Sequence, residues 1–166
     1  NELLDGRGGN DTIDGGAGDD ILLGGDGDDQ LTDLLGNNTF DGGSGNDNIV
    51  AGGGNDALDG GTGADTLTGG DGSDHYTVDD PGDRVIENNP DLATGGDDTV
   101  YSTLPAYSLT DHVENLTLVG ADNVDATGND GDNLLSGNSG ANTLDGRAGN
   151  DTIDGGAGDD ILLGGN

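Results

Sequence analysis

Aspartate or asparagine returns every nine residues through much of this chain, two places after a glycine and two places before a large apolar residue. Asp20 is one example, in the phrase GGAGDDILL at residues 15–23. The chain carries 35 acidic side chains against 3 basic ones, for a formal net charge of −32. Carboxylates are hard oxygen ligands, so the chemistry that these residues offer is the binding of a hard cation. The same charge argues against nucleic acid and anionic membrane surfaces as partners, because both would be repelled.

The composition limits the kind of structure that can position these carboxylates. Only 28% of the 166 residues are apolar and 2% are aromatic, whereas 37 residues are glycine. This is too little apolar material for an ordinary hydrophobic core, and such a chain could stay disordered. The chain has no cysteine, which excludes disulfides and thiolate metal sites. No apolar run reaches the length of a membrane-spanning helix, so we expect a soluble chain without membrane insertion.

The nine-residue repeat argues for order. Eight units follow one another from Gly6 to Thr77, and four more run from Gly128 to Leu163. One large apolar residue in nine cannot form an apolar helix face, which needs spacings of three and four. It can form a very short strand whose central side chain points inward, with the Gly, Asp and Asn residues of each unit forming a turn.

Two units make one coil of a solenoid with two facing sheets. The sequence therefore predicts an all-β fold, a parallel β-roll or β-solenoid built from two short-stranded sheets. The eighth-position residues of alternate units then stack inside the sheets, namely Ile13, Leu31, Ile49 and Leu67 in one sheet, and Leu22, Phe40, Leu58 and Tyr76 in the other.

Stacking the coils also stacks the sixth-position carboxylates. Coils about 4.8 Å apart bring like charges together, and each adjacent pair repels by roughly 3 kcal/mol at an effective dielectric near 20. Ca²⁺ would neutralise these columns, because it takes about six to eight oxygen ligands from carboxylates and backbone carbonyls. Glycines without Cβ atoms would let two coils approach such an ion. Mg²⁺ demands stricter geometry and transition metals prefer His or Cys, so the expected cofactor is calcium, bound several times.

The phrase G-G-x-G-x-D-x-U-x resembles the calcium-binding nonapeptide of RTX (repeats-in-toxin) proteins, the haemolysin-type calcium-binding region. The resemblance covers about two thirds of the chain. It implies calcium in the turns of a β-roll, held by sixth-position aspartates and by backbone carbonyls of the GGxG stretch. Carried onto this sequence, the aspartate ligands are Asp11, Asp20, Asp29, Asp47, Asp56, Asp65, Asp74, Asp151 and Asp160. The carbonyl ligands are those of Gly16, Gly18, Gly25, Gly27, Gly43, Gly45, Gly52, Gly54, Gly61 and Gly63. Asn38, Asn133 and Asn142 depart from the pattern, and we expect weaker or empty sites there.

The resemblance also implies a function. RTX proteins are exported unfolded by type I secretion and fold in extracellular calcium. We therefore expect a calcium-binding structural segment of a large secreted or cell-surface protein, with an adhesive, matrix or fibre-forming role and no enzymatic activity. The alternative is the C-terminal calcium-folding module of a secreted hydrolase or toxin, which upstream sequence would distinguish.

The sequence divides into three segments. Residues 1–77 form the first repeat block, residues 78–127 lose the repeat, and residues 128–166 form the second block. The middle segment resembles the linking segment found between RTX blocks, and we expect it to form wider solenoid coils; a separate globular domain is the alternative. Residues 4–25 return as residues 144–165 with one change, so the chain contains a tandem unit of 140 residues and predicts a longer array.

Self-association is a further expectation. Ile21 and Leu23 flank an inward residue and should point outward, Val50 should do so on the opposite sheet, and Ile161 with Leu163 repeats the pattern. Such positions could join neighbouring solenoids laterally or end to end. Ice binding, which some similar solenoids perform through regular ranks of threonine, is disfavoured because the third position of the first block holds a single threonine.

Overall fold

The computed structural model describes residues 1–89 and 95–166, and these residues form strands and turns without any helix. In this part of the chain there is accordingly no helix long and apolar enough to cross a membrane. The chain forms two compact units, Asn1–Gly96 and Asp97–Asn166. Part of the predicted linking segment, including Pro90, lies outside the described residues.

Strands of three to six residues make up the first unit, and in every strand after the first the second residue is buried. Three-residue strands are too short for stability alone, so their order depends on pairing with neighbouring coils. The strands are β1 (Leu3–Asp5), β2 (Thr12–Asp14), β3 (Ile21–Asp26), β4 (Gln30–Thr32), β5 (Thr39–Ser44), β6 (Asn48–Gly53), β7 (Ala57–Asp59), β8 (Thr66–Asp71), β9 (His75–Val78) and β10 (Arg84–Ile86).

The strands of the first unit form two parallel sheets. One has the order β1-β3-β5-β7-β9 and the other β10-β8-β6-β4-β2, so consecutive strands lie in opposite sheets. Each strand pairs with the strand one coil further on, as Ile13 does with Leu31 and Leu22 with Phe40. The predicted all-β, parallel β-solenoid fold is confirmed.

The core of the first unit consists of the eighth-position side chains, stacked in the two predicted columns. Phe40 and Tyr76 are its largest buried residues, and burying a side chain of this kind contributes roughly 1.5 to 3 kcal/mol. The buried members are Ile13, Leu22, Leu31, Phe40, Ile49, Leu58, Leu67 and Tyr76.

Glycine makes the sharp turns possible. Gly25 and Gly27, the second and fourth residues of their unit, have φ angles of 106° and 132°. Residues other than glycine rarely adopt such positive φ angles. Arg7 adopts one all the same, at φ 72°, in a second position where most units have glycine.

The second unit repeats the architecture with less regular coils. Its sheets have the orders β11-β13-β15-β17 and β12-β14-β16-β18. Thr99 pairs with Asn115 and Asn115 with Leu134, so these coils differ in length, whereas Leu134 pairs with Thr152 at the regular spacing. The strands are β11 (Thr99–Ser102), β12 (Ala106–Ser108), β13 (Asn115–Leu118), β14 (Asp125–Thr127), β15 (Leu134–Ser136), β16 (Thr143–Asp145), β17 (Thr152–Asp154) and β18 (Ile161–Leu163).

The repeat continues further than its sequence shows. Strand β10 pairs with β8 so that Val85 lies opposite Leu67, and Val85 is buried like an eighth-position residue. Asp83 extends the column of sixth-position carboxylates. The predicted linking segment thus begins as one more coil of the first unit, and along the sequence the boundary between the two compact units falls within it, after Gly96.

Candidate metal centre

Sixth-position aspartates form a hydrogen-bonded ladder at one edge of the first unit. The backbone N–H of Asp11 donates to Asp29 Oδ1 at 2.7 Å, and that of Asp29 donates to Asp47 Oδ1 at 2.8 Å. The ladder continues from Asp47 N to Asp65 Oδ1 at 2.8 Å and from Asp65 N to Asp83 Oδ1 at 3.1 Å. Each carboxylate is therefore fixed to the coil before it through one oxygen only.

The opposite edge has a second ladder of the same kind. Asp20 N donates to Asn38 Oδ1 at 2.9 Å, Asn38 N to Asp56 Oδ1 at 2.6 Å, and Asp56 N to Asp74 Oδ1 at 2.8 Å. The amide oxygen of Asn38 accepts this bond as a carboxylate oxygen does. Asparagine can therefore replace aspartate in the ladder, although it brings no charge.

The second carboxylate oxygen, Oδ2, is the unusual atom of these sites. In several aspartates at this position, or beside it, Oδ2 is buried. Among residues 1–89 and 95–166 no group forms a hydrogen bond with it. A buried carboxylate without a donor or cation is strongly unfavourable. These aspartates are Asp11, Asp20, Asp29, Asp33, Asp47, Asp56, Asp65 and Asp151.

The free oxygens face first-position glycines. A Cβ atom on Gly24 would lie 2.4 Å from Asp29 Oδ2 and 2.5 Å from the carbonyl oxygen of Gly42. A Cβ atom on Gly42 would likewise lie 2.4 Å from Asp47 Oδ2 and 2.6 Å from the carbonyl oxygen of Gly60. A carboxylate oxygen and a carbonyl oxygen of the next coil thus point into one space that only glycine leaves open. Buried oxygens that converge without a donor between them fit a hard divalent cation such as calcium.

The first-position glycines were not among the residues that the sequence predicted. The predicted carbonyls, at the second and fourth positions, also point from coil to coil, since a Cβ atom on Gly45 would lie 1.9 Å from the carbonyl oxygen of Gly27. The second-position carbonyl of Gly43 accepts the backbone N–H of Thr62 at 2.8 Å. A carbonyl oxygen has two lone pairs and can accept a second partner, so these carbonyls remain predicted ligands. The available signal was that glycine fills the first position in ten of the twelve units and the second in only seven.

Fifth-position residues form a further ladder that the sequence did not indicate. The backbone N–H of Asn46 donates to Asp28 Oδ1 at 2.8 Å, and that of Asn55 donates to Asn37 Oδ1 at 2.7 Å. These side chains are exposed and reach toward the following coil, opposite to the sixth-position side chains. The preference for Asn and Asp at this position was the only sequence signal.

Burial raises the pKa of several sixth-position carboxyl groups. Removal from water raises the pKa of Asp56 and of Asp65 to about 6. Burial also raises the pKa of Asp47, and the neighbouring Asp29 carboxylate adds to this effect. Without metal, the negative charge of the carboxylate columns is therefore not compensated, and binding of a proton or a cation stabilises the columns.

We expect the metal-free chain to become more ordered as the pH falls from about 7 toward 4. Asp56 and Asp65 bind protons in the folded state up to about pH 6, but in the unfolded state only near pH 4. The folded state therefore holds more protons in this window, and its stability falls as the pH rises through 6. Protons and calcium compete for the same oxygens, so calcium affinity should rise with pH. Circular dichroism of calcium-free protein across this range tests the first statement, and a pH-independent signal would contradict it.

Two aspartates of the second unit have the geometry of the first block. Asp151 Oδ1 accepts the backbone N–H of Asn133 at 3.0 Å, and Asp160 Oδ1 accepts that of Asn142 at 2.9 Å. A Cβ atom on Gly146 would lie 2.4 Å from Asp151 Oδ2. Both residues therefore remain predicted ligands.

The asparagine turns of the second unit are built differently. Asn142 Nδ2 donates to the carbonyl oxygen of Val124 at 2.7 Å and to Asn138 Oδ1 at 3.2 Å, while Asn142 Oδ1 accepts Asn138 N at 2.9 Å. Asn133 and Asn129 bond to each other in the same way. In each turn the amide donates the hydrogen bonds that satisfy nearby oxygens, so a cation is not needed. These contacts support the expectation of weak or empty sites at Asn133 and Asn142.

We expect Asn142→Ala to destabilise the chain without changing its calcium content. The substitution removes the donor to the carbonyl oxygen of Val124 and the acceptor of the Asn138 backbone N–H, at a cost of about 1 to 3 kcal/mol. Asp151→Ala is the matched comparison and should lower both stability and the number of ions bound. Urea unfolding at saturating calcium and equilibrium dialysis measure the two effects. Loss of an ion from Asn142→Ala would show that this turn does bind calcium.

Fold and site together define a class of protein: a parallel β-solenoid whose turns carry stacked carboxylates suited to a hard cation. The family model of the RTX calcium-binding nonapeptide repeat (4 copies) matches residues 1–31, 23–58, 32–67, 50–80 and 127–166. The chain belongs to this family. The comparison with curated proteins and the comparison with solved structures each returned no match.

Proposed function

We propose that this chain is a structural β-roll segment that folds as calcium binds, within a large secreted or cell-surface protein. One observation carries the proposal: buried carboxylate oxygens in both edge columns have no partner among the described residues. Bound calcium would supply the positive charge that these oxygens need and would join successive coils. Because folding creates the sites, the free energy of binding would become free energy of folding.

The residues of the chain have separate tasks in this process. The Oδ1 ladder fixes each sixth-position carboxylate in the folded coil, as in the bond from Asp29 N to Asp47 Oδ1, and leaves Oδ2 for the ion. First-position glycines such as Gly42 keep the facing space open and would contribute their carbonyl oxygens. Packing of the eighth-position side chains sets the coil spacing.

The extracellular, adhesive or fibre-forming role rests on the family and on the sequence. The 140-residue recurrence supports a long array, and the net charge of −32 suits a calcium-rich environment. Ile21, Ile161 and Leu163 are exposed as expected, and Leu23 and Val50 are partly exposed, so lateral or end-to-end association has apolar contacts available. A non-catalytic role is part of the proposal. A catalytic domain upstream would favour the calcium-folding module of a secreted hydrolase or toxin instead.

Far-ultraviolet circular dichroism during a calcium titration, from a chelated start, tests the proposal. We expect a cooperative transition from coil to β-structure, with Kd values of roughly 10⁻⁴ to 10⁻³ M, typical of extracellular modules, and no transition with magnesium. A chain that is fully β-structured in chelator, or disordered in excess calcium, would refute calcium-coupled folding.

A further inference from the structure

The unit DLLGNNTFD, residues 33–41, departs from the repeat at two places that bear on the site. Its sixth position is Asn38 instead of aspartate, and its first position is Asp33 instead of glycine. The first change removes a carboxylate from the column at this edge. The second introduces one at the position that faces the Oδ2 atoms elsewhere.

Asp33 is completely buried, and only one of its two carboxylate oxygens accepts a hydrogen bond from a described residue. Its Oδ1 accepts the backbone N–H of Leu35 at 3.2 Å, while its Oδ2 has no hydrogen-bond partner in the described part of the chain. Asp33 Oδ2 lies against Gly15, the first-position glycine one coil earlier, where a Cβ atom would be 2.2 Å away. It therefore occupies the space beside Gly15 that sixth-position Oδ2 atoms occupy beside Gly24 and Gly42.

A second unpartnered carboxylate lies next to Asp33. The carboxyl groups of Asp33 and Asp20 lie close together, and among the described residues neither buried Oδ2 atom has a hydrogen-bond donor. The amino group of Asn1 lies 3.4 Å from Asp20 Oδ1, which is the other oxygen of that carboxylate. Two facing carboxylates with no donor between them are stable together only with a shared proton or a cation.

We propose that Asp33 is a calcium ligand, and that it replaces the carboxylate missing at Asn38 in the site beside Asp20. The inference rests on the proposed calcium function. The site keeps two carboxylates, as in the column of Asp29 and Asp47, but takes one from the first position of the repeat. Asn38 and Asn133 thus have different consequences for calcium binding. The turn of Asn133 keeps Gly128 at the first position, and amide contacts of Asn133 take the place of a second carboxylate.

Calcium stoichiometry of the whole chain tests the inference. Asp33→Asn keeps the shape of the side chain and removes its charge, and we expect it to bind one calcium fewer, or to bind it at least about tenfold more weakly. Asp26→Asn is the control, because Asp26 is an exposed third-position carboxylate and should leave the stoichiometry unchanged. Isothermal titration calorimetry and terbium luminescence provide the readouts.

The double variant Asp33→Gly/Asn38→Asp restores the regular repeat. It keeps the inference testable if Asp33→Asn alone misfolds. We expect it to regain the stoichiometry of the original chain, including the case in which Asp33→Asn alone does not fold. If Asp33→Asn binds as many ions with unchanged affinity, Asp33 is not a ligand, although the proposed function stands. If the original chain itself binds no calcium, the inference and the proposed function both fail.

Discussion

Gly42→Ala should abolish one calcium site and lower the stability of the calcium-bound chain by about 3 kcal/mol, although it adds a single methyl group. The new Cβ atom would lie 2.4 Å from Asp47 Oδ2 and 2.6 Å from the carbonyl oxygen of Gly60, in the space where these oxygens converge. The φ angle of Gly42 is not among the positive ones, so alanine suits the backbone and the effect comes from the site.

Gly53→Ala provides the matched control for this prediction. Gly53, like Gly42, lies in a six-residue strand of the first unit, but the atom nearest to a Cβ there would be 3.8 Å away. We expect a change within about 0.5 kcal/mol and full calcium binding. Calorimetric titration and thermal unfolding in calcium compare the two variants. Equal behaviour of Gly42→Ala and Gly53→Ala would mean that the first-position space is not a site.

The double variant Asp29→Asn/Asp47→Asn should raise the calcium concentration needed for folding at least about tenfold. Each asparagine can still accept the backbone N–H of the coil before it, as Asn38 Oδ1 accepts that of Asp20, so the ladder persists. What is lost is the negative charge at two facing Oδ2 atoms. In chelator the same variant should be more ordered than the original chain, because the repulsion within the column is relieved.

Asp14→Asn/Asp41→Asn removes the same total charge from exposed ninth-position residues. If the columns bind calcium, this control should shift the folding midpoint only slightly, since exposed charges are well screened. The midpoints are read by circular dichroism during calcium titration. A similar shift in both double variants would indicate that net charge, rather than the aligned carboxylates, determines the calcium requirement.

The sequence predicted the fold well because the relevant signal is periodic. Leu22 and Phe40 occupy equivalent positions one coil apart, and a repeat of fixed length allows only one register between them. A slip by one residue would turn every apolar side chain outward. A solenoid coil was expected around Asp83 and Val85, but not one in register with the repeat, because VDDPGDRVI lacks the glycines of the repeat and keeps only its sixth and eighth residues.

The details of the candidate sites were less accessible from sequence. The repeat shows which residues recur, but not which of several glycines faces Asp47 Oδ2, since that depends on the direction of each carbonyl in the turn. Asn129 and Asn133 illustrate a second limit. The sequence showed that a charge was missing at Asn133, whereas the amide contacts with Asn129 appear only when backbone and side chains are placed together.

The sixth-position and fifth-position side-chain ladders of the first unit run in opposite directions, and this affects how the coils separate under load. Sixth-position oxygens accept bonds from the preceding coil, as Asp47 does, and fifth-position oxygens from the following coil, as Asp28 does. Every regular interface between neighbouring coils therefore contains both kinds of hydrogen bond, and the stability of the solenoid is the sum over its interfaces. Under tension no regular coil is a preferred point of rupture while calcium is bound. When calcium is withdrawn, interfaces with facing carboxylates weaken and those held by asparagine amides do not, so the amide turns would be the last to open.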